Sequence, residues 1–384
     1  MHPRVILSTS NFFFAFASAL TGYIVLPFLS LFMPESFAGL VIACGGAISI
    51  VSFFVLPRII SRYGAQEVAL TCAIGEMIVL FALAAAPGAI AAIVLVIVML
   101  ALQPVIAYGF DLLLEATVTE RKTVAEVRSL FLTAWNIGVC AAPLVLGALL
   151  DDSNAYVRVY IAAATIFVPL IVLLVTRSLP KGIPPKLSHF TDTLKHVLRN
   201  RDLSAITFAH FLLYLFFSWA PLYIPIYLHT VVGISWATLG WIFAVMLVPY
   251  VLVEYPAGWI ADRYIGDKEL LLSGFLLAGG SLIALGTLPV TSSLSLILII
   301  LIVSRVGAAL IESMTEGHFF RRVEADDIGS VSFFRGVWPL ATVVGPIVGS
   351  IILFFFSFQI LFIATGCFLI LAGAITAGLI EDFK

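Results

Sequence analysis

The sequence contains little charge: only 11% of its 384 residues are Asp, Glu, Lys or Arg, whereas soluble proteins have about 25%. Charges this sparse cannot cover the surface of a water-soluble protein of this length, which excludes a soluble enzyme and a disordered chain. The formal net charge is -2, so the chain offers no basic surface to a nucleic-acid backbone. We therefore predict no nucleic-acid partner.

Cysteine is also scarce, with four residues in the whole chain. Each lies inside an apolar run and none has the spacing of a disulfide framework or a zinc site. The HExxH, GxSxG and phosphate-binding GxxxxGK[ST] motifs are absent from the sequence as well. We therefore expect no metal, no cofactor, no catalytic residues and no ATP-driven activity.

Hydrophobic residues are abundant and make up 62% of the chain. They form apolar runs that are long enough for the ~20 residues of a membrane-spanning helix. The twelve runs lie near residues 5–32, 37–57, 68–87, 89–114, 128–150, 156–176, 203–228, 235–260, 269–289, 293–315, 330–355 and 358–380. Because these runs lack the alternation of strands in a membrane barrel, they predict an all-α membrane protein with twelve transmembrane helices.

Basic residues are distributed unequally between alternate loops. Seventeen of the 20 Lys and Arg residues lie on one side of the predicted spans, and only Arg158 lies on the other. Because basic loops stay in the cytoplasm, both termini and the long central loop are predicted to be cytoplasmic. Helical spans with short loops suggest the bacterial inner (plasma) membrane as the location.

Paired acidic residues indicate that the chain has two related halves. Asp111 and Glu115 of the fourth span recur 201 residues later as Glu312 and Glu316 of the tenth. A duplicated six-span unit is typical of secondary transporters, which bind substrate between two pseudo-symmetric repeats. The predicted boundaries are 1–178 for the N-terminal six-helix half, 179–202 for a cytoplasmic linker with an amphipathic helix, and 203–384 for the C-terminal six-helix half.

The loop after the eighth span carries a specific motif. Its positions are Gly258, Asp262, Arg263, Gly266 and Lys268. The motif resembles the G-x-x-x-D-R-x-G-x-K/R loop of the major facilitator superfamily, with one extra residue before the second glycine. The matching loop after the second span keeps Arg62 and Gly64 but has Ser61 in place of the aspartate.

Two motifs within the spans support the same resemblance. Gly138, Pro143 and Gly147 of the fifth span are similar to the glycine-proline motif of the superfamily's drug/proton antiporters, and Gly345, Pro346 and Gly349 occupy the corresponding part of the eleventh. The Ser304–Gly307 segment of the tenth span resembles the family's intramembrane arginine motif. The resemblance implies a helix-packing role for the glycine-proline triplets and a twelve-helix transporter fold.

The resemblance also implies a cytoplasmic gate of ion pairs. The expected pairs are Arg58 and Arg62 with Asp111 and Glu115, and Arg263 and Lys268 with Glu312 and Glu316. Asp262 is expected to face the start of the fifth helix near Arg128, whereas Ser61 would give a weaker contact with the eleventh helix near Arg335. Direct proton transfer by the acids is the alternative to these pairs.

Arg305 lies near the middle of a predicted span. It lies about twelve residues into the tenth span, or ~18 Å along the helix axis, where a charge costs ~2.5–3.5 kcal/mol. Arg305 would therefore bind an anionic substrate group or a proton-relay carboxylate. A fixed ion pair with Glu312 is the alternative.

Several other residues are candidates for proton coupling or for the wall of a substrate cavity. Glu254 and Glu312 are the preferred proton carriers, since the third span, which contains Glu76, is expected to be peripheral; a locally paired acid is the alternative. His210, which is able to titrate near neutral pH or to act only as a hydrogen-bonding group, is 199 residues after Asn11. The further cavity candidates are Gln103, Tyr108, Tyr23 and Tyr214.

These observations predict a monomeric, proton-coupled secondary transporter that moves a small-molecule substrate across the lipid bilayer by alternating access. The antiporter-like motif and the apolar spans favour export of hydrophobic or amphiphilic compounds. The alternatives are a proton-coupled importer of a sugar, carboxylate or other metabolite, with Arg305 binding the anion, and a non-transporting sensor or scaffold with the same fold.

Overall fold

The computed structural model describes residues 3–85, 87–117, 124–150, 155–179, 195, 197–323 and 328–381. These residues form α-helices joined by short turns, and no strand occurs among them. The helices are α1 (Pro3–Leu29), α2 (Glu35–Tyr63), α3 (Ala65–Ala84), α4 (Ala89–Glu115), α5 (Val124–Leu150), α6 (Tyr156–Thr176), α7 (Arg201–Ile226), α8 (Trp236–Met246), α9 (Val248–Ile260), α10 (Asp267–Thr287), α11 (Leu294–Arg322), α12 (Ile328–Phe355) and α13 (Phe358–Leu379). Two short π-helical segments, Tyr227–Val231 and Ala261–Ile265, follow α7 and α9.

Eleven stretches of the described residues are helical, long and apolar enough to cross a membrane. The eighth predicted span corresponds to a shorter apolar stretch, Trp236–Tyr250, in which α8 and α9 are separated at Leu247. Pro249 in the first turn of α9 explains this interruption, because proline has no amide hydrogen to continue the hydrogen bonding of α8. The prediction of an all-α membrane protein with a twelve-span layout is confirmed, with a broken eighth span.

The structure divides into two compact units. The first contains Met1–Pro184 and Leu228–Ala244, and the second contains Pro185–Tyr227 and Val245–Lys384. Most of α8 is therefore grouped with the first unit, although it follows α7 in the chain. The predicted amphipathic helix of the linker lies mostly outside the described residues.

In the first unit, α1 packs against α4, α5 and α6, while α3 packs against α4 and α6. Phe14 of α1 lies at the centre, edge-on to Phe110 of α4 at 5.9 Å and to Phe167 of α6 at 6.4 Å between ring centroids. All three side chains are buried. Edge-to-face rings add about 0.5–1.5 kcal/mol each beyond their burial, so these contacts fix the positions of three helices around α1.

In the second unit, α7 packs against α11, α12 and α13, while α10 packs against α11 and α13. Small residues permit close approach of these helices: a Cβ placed on Gly279 of α10 would lie 2.6 Å from the carbonyl oxygen of Gly366 in α13. Membrane helices associate through such close contacts, since lipid offers no hydrophobic driving force between them.

Each of the two loop motifs contains a glycine with an unusual backbone conformation. Gly64 (φ 94°, ψ 153°) precedes α3, and Gly266 (φ 97°, ψ 169°) precedes α10. These torsion angles are accessible essentially to glycine alone. The same turn thus occurs in both units at the positions that the repeat predicted.

Candidate functional site

The glycine-proline triplets lie where helices approach each other within a unit. A Cβ on Gly138 would lie 2.7 Å from the carbonyl oxygen of Phe12 in α1. Gly147 meets α8, because a Cβ on Gly240 would lie 2.9 Å from the Gly147 Cα and overlap the Pro143 carbonyl oxygen. The small residues of the motif therefore lie at helix contacts that are too close to accommodate larger side chains.

The corresponding triplet of the second unit contacts α7. The indole nitrogen of Trp219 donates to the carbonyl oxygen of Gly345 (2.8 Å), and the Tyr223 hydroxyl donates to that of Pro346 (3.3 Å). A Cβ on Gly349 would overlap the Tyr223 ring. Two backbone carbonyl oxygens of α12 thus accept hydrogen bonds from side chains of the neighbouring helix α7.

The predicted gate residues of the first unit lie at helix ends. Arg58 and Arg62 are exposed near the end of α2, and the Arg62 guanidinium lies 5.2 Å from the centre of the Tyr63 ring. Asp111 and Glu115 are exposed in the last turns of α4. The pairing of these four residues stays a prediction. The side chain of Arg128 lies outside the described part of the structure.

The predicted gate residues of the second unit have a different arrangement from the one expected. Glu316 forms a two-pronged ion pair with Arg335 of α12, whose Nη2 lies 2.9 Å from Oε2, instead of pairing with Arg263 or Lys268. The Arg263 guanidinium stacks on the Trp259 ring at 5.0 Å, and Lys268 is half-buried at the start of α10. The planar guanidinium of Arg335 matches both carboxylate oxygens of Glu316.

Gly258, Asp262 and Glu254 are the remaining site residues predicted in and near the loop motif after the eighth span. Gly258 has room around it, since a Cβ there would meet only the Ser313 hydroxyl at 3.7 Å. The side chains of Asp262 and Glu254 lie outside the described part of the structure, so the predicted roles of both in gating and proton coupling stay predictions.

His210 of α7 is buried beside the Glu316–Arg335 pair. Its Nδ1 lies 3.0 Å from the Thr315 hydroxyl, and its Nε2 lies 3.7 Å from Glu316 Oε1 without a hydrogen-bond partner. The imidazole stacks on the Phe334 ring at 3.9 Å. The structure therefore brings together a titratable imidazole, a carboxylate and a guanidinium from α7, α11 and α12.

Tyr214 and Glu312, two other predicted site residues, lie close in the chain to His210 and Glu316, respectively. Tyr214 lies one turn after His210, and its ring is edge-on to the imidazole at 4.8 Å. Glu312, one turn before Glu316, is half-buried and takes part in interactions of its own. Tyr214 thus covers the buried imidazole within the second unit.

Arg305 of α11 is buried, with 4% of its surface exposed. Its Nη2 contacts the Met246 sulfur at 3.9 Å, and its guanidinium lies 5.1 Å from the centre of the Phe216 ring. Among the described residues no carboxylate pairs with it, and its Nε has no hydrogen-bond partner. The alternative, an ion pair with Glu312, is therefore not formed, and Nε remains a buried donor without a partner.

The polar candidates of the first unit are dispersed along α1 and α4. The side-chain nitrogen of Asn11 donates to the carbonyl oxygen of Phe131 in α5 (3.0 Å), so this amide has a hydrogen-bond partner within the unit. Tyr23 stacks on Phe243 at 5.3 Å, and Tyr108 is edge-on to Phe53 at 5.5 Å. Gln103 instead contacts a buried acid, Glu76 of α3, at 3.0 Å.

A buried charge cluster at one end of the second unit was not predicted. His318 places Nδ1 2.8 Å from Asp267 and Nε2 2.9 Å from Asp202. Asp267 also pairs with Arg321, and Asp202 with Arg322 at 3.0 Å. Because both carboxylates have arginine partners and accept hydrogen bonds, both ring nitrogens must donate, which makes His318 an imidazolium.

This cluster joins the starts of α7 and α10 to the end of α11. Its two acids, Asp202 and Asp267, are far in the sequence from each other and from His318, so the cluster forms no motif. The available signal was the presence of His318, Arg321 and Arg322 on successive turns at the end of a span. Among the described residues, no group of His, Cys, Asp and Glu is arranged to hold a metal ion.

Comparison with known proteins gives the following findings. Residues 206–382 match the family model of the Major Facilitator Superfamily, and no curated protein matches the sequence. Similar solved structures include a mutant of the nucleoside transporter NupG, with 12% identity, a TM-score of 0.82 and coverage of 99% of this chain and 100% of that chain. A mutant of the peptide transporter POT in complex with sulfate has 13% identity, a TM-score of 0.78 and coverage of 98% and 93%.

A third similar structure is a bacterial homolog to the human lysosomal transporter Spinster, in an inward-facing and unoccupied conformation. It has 12% identity, a TM-score of 0.74 and coverage of 98% of this chain and 94% of that chain. Identities this low show the fold alone. Together with the family match, the helical spans define a multi-pass membrane transporter rather than an enzyme. Residues 206–382 of the chain thus match the major facilitator superfamily, and the fold is shared with solved transporter structures over the whole length.

Proposed function

We propose that the protein is a proton-coupled secondary transporter that moves a small amphiphilic organic anion by alternating access. The observation that carries this proposal is the buried guanidinium of Arg305, which has no described carboxylate partner. An uncompensated charge inside a membrane protein is unfavourable. A carboxylate, phosphate or sulfonate group of a substrate would supply the missing negative charge.

Aromatic side chains near Arg305 favour a substrate with an apolar body. Phe216, which lies under the guanidinium, has its ring 6.0 Å from that of Phe217. Phe217 in turn contacts the rings of Tyr214 at 5.8 Å and Tyr250 at 6.0 Å. Such rings combine apolar surface with hydroxyl groups, which suits an amphiphilic molecule.

Proton coupling is proposed because the chain has no nucleotide-binding motif and contains buried titratable groups. His210 is the candidate in the second unit, since its unpartnered Nε2 lies 3.7 Å from Glu316. A proton on that nitrogen would strengthen its contact with Glu316 and compete with Arg335 for the same carboxylate.

The direction of transport is proposed to be export, on the antiporter-like glycine-proline motif of α5. Import of a carboxylate or other metabolite remains the second candidate, and Arg305 would bind the anion in either case. We place the protein, as a monomer, in the bacterial inner membrane with both termini in the cytoplasm, because its basic residues lie predominantly on one side of the spans.

Ligand binding tests the role of Arg305. Purified protein is heated with 1-naphthalenesulfonate or with a naphthyl quaternary ammonium of similar size. We expect the anion to raise the melting temperature and to bind at least about tenfold more weakly to Arg305→Gln, since a lost charge-assisted hydrogen bond is worth ~1.5–3 kcal/mol. Arg158→Gln, which removes an exposed arginine of α6, is the control. Stabilisation by the cation alone would contradict an anionic substrate.

Transport in proteoliposomes tests coupling and direction. Export by antiport predicts that 1-naphthalenesulfonate accumulates in vesicles with an acidic interior, because protons leave as the anion enters. Accumulation in vesicles with an acidic exterior would instead show symport, as the import alternative requires. If the anion binds but does not accumulate under either gradient, the non-transporting alternative is favoured and the transport proposal is wrong.

A further inference from the structure

Glu76 of α3 is a fully buried acid in the middle of a membrane-spanning helix, with 0% of its surface exposed. Its Oε1 accepts a hydrogen bond from the side-chain nitrogen of Gln103 in α4 at 3.0 Å. Its Oε2 is buried and has no hydrogen-bond partner among the described atoms. Half of the carboxyl group is therefore unsatisfied.

No described cation forms an ion pair with Glu76. On α3 itself the titratable neighbour is Cys72, one turn earlier. The titratable groups of the helices packed on α3 lie near their ends: Glu35, Arg58, Arg62 and Tyr63 of α2, Tyr108, Asp111 and Glu115 of α4, and Tyr156, Arg158 and Tyr160 of α6, with Cys44 of α2 as the exception. An ionised carboxylate with one amide donor and no cation is unfavourable in such a place, whereas a neutral acid is not.

Gln103 connects this acid to a second helix. Its side-chain nitrogen also lies 3.4 Å from the hydroxyl of Thr21 in α1. The Thr21 hydroxyl is itself directed at the carbonyl oxygen of Ser18 (3.0 Å). One amide group therefore bridges α3 and α1, so that a change of charge on Glu76 acts on both helices.

We propose that Glu76 is the residue that binds and releases the coupled proton, and that Gln103 is the positioning residue that transmits its charge state to α1. This inference rests on the proposed proton coupling. Loss of the proton leaves a carboxylate that attracts the Gln103 amide away from Thr21. The contact between α4 and α1 then weakens, and the carboxylate becomes stable only where water or a cation reaches it.

Infrared spectroscopy during a pH titration tests the protonation directly and needs no substrate. We expect wild-type protein at neutral pH to show the carbonyl band of a buried, neutral carboxyl group, and Glu76→Gln to lack it. Glu67→Gln, which neutralises an exposed acid in the first turn of the same helix, should keep the band. A band that persists unchanged in Glu76→Gln, or is absent from the wild type, would overturn the assignment.

Gln103→Leu provides a second variant if Glu76→Gln does not fold. Because the amide is a donor to the ionised form, its removal should extend the band to higher pH. An unchanged titration would contradict the positioning role, whereas a simple loss of stability would not move the titration.

Transport then separates this inference from the proposed function. In proteoliposomes Glu76→Gln should exchange 1-naphthalenesulfonate between equilibrated compartments but fail to accumulate it under a pH gradient. If the wild type accumulates the anion and Glu76→Gln does so equally, another acid carries the proton and the inference is wrong. If the infrared band is present but no pH gradient drives the wild type, the proposed coupling fails and the transport role of Glu76 fails with it.

Discussion

Glu316 binds both terminal nitrogens of Arg335, and this ion pair stands 3.7 Å from the buried imidazole of His210. The pair connects α11 to α12, and His210 adds α7. Three helices of the second unit therefore meet at one carboxylate. Any change in the charge of His210 or Glu316 must alter the contacts of all three.

The first prediction concerns the strength of the Glu316–Arg335 pair. Both side chains are partly exposed, 28% for Glu316 and 44% for Arg335, so solvent screens their attraction. We expect Glu316→Ala, Arg335→Ala and the double variant to give a coupling free energy of about 1 kcal/mol in a double-mutant cycle of thermal unfolding. Additive effects of the two single substitutions would mean that the pair contributes no stability.

The second prediction concerns the charge cluster of His318. Replacing His318 with Leu leaves Asp202 and Asp267 buried without the imidazolium that lies between them. Since removal of one partner leaves uncompensated buried charge, the free energy of unfolding should fall by about 3 kcal/mol, measured as a loss of thermal stability in detergent. Glu269→Leu, at an exposed position in the same turn of α10 as Asp267, is the control and should change stability little.

The outcome of this comparison decides whether the cluster is structural. If His318→Leu melts with the wild type, the imidazole does not hold α7, α10 and α11 together. A partial recovery in the triple variant that also carries Asp202→Leu and Asp267→Leu would show that the loss comes from unpaired charge rather than from lost volume.

Hydropathy alone predicted the spans, because each apolar run must be helical to satisfy its backbone in lipid. It did not predict the break at Leu247, where the run stays apolar and only Pro249 signals an interruption. Glu316 was recognised as a pairing residue, but its partner depends on the rotation of α11 relative to α12. Glu76 was ranked below Glu254 because the third span was expected to be peripheral. The burial of Glu76 depends on the packing of α3 against α4 and α6, which hydropathy does not show.

The third prediction concerns the approach of α1 to α5. A side chain at Gly138 has no space, because its Cβ would lie 2.7 Å from the Phe12 carbonyl oxygen. We expect Gly138→Val to separate the helices and lower the free energy of unfolding by about 1–3 kcal/mol. Gly22→Val in α1, where nothing lies within 4 Å of the added Cβ, should be tolerated. Equal melting temperatures of the two variants would contradict close packing at Gly138.

The last prediction uses the turn that both units share. Gly64 and Gly266 adopt φ angles of 94° and 97°, with extended ψ, and a Cβ in this conformation costs about 1–3 kcal/mol. Gly64→Ala and Gly266→Ala should therefore destabilise the protein by similar amounts, although nothing crowds a Cβ on Gly64. Gly88→Ala is the matched control, because Gly88 precedes α4 with an ordinary φ of -65° and equally open surroundings. Since strain, and not crowding, is the expected cause, Gly64→Ala should lower the melting temperature more than Gly88→Ala; equal melting temperatures would show that the backbone at Gly64 relaxes and that the turn is not the reason for glycine in this motif.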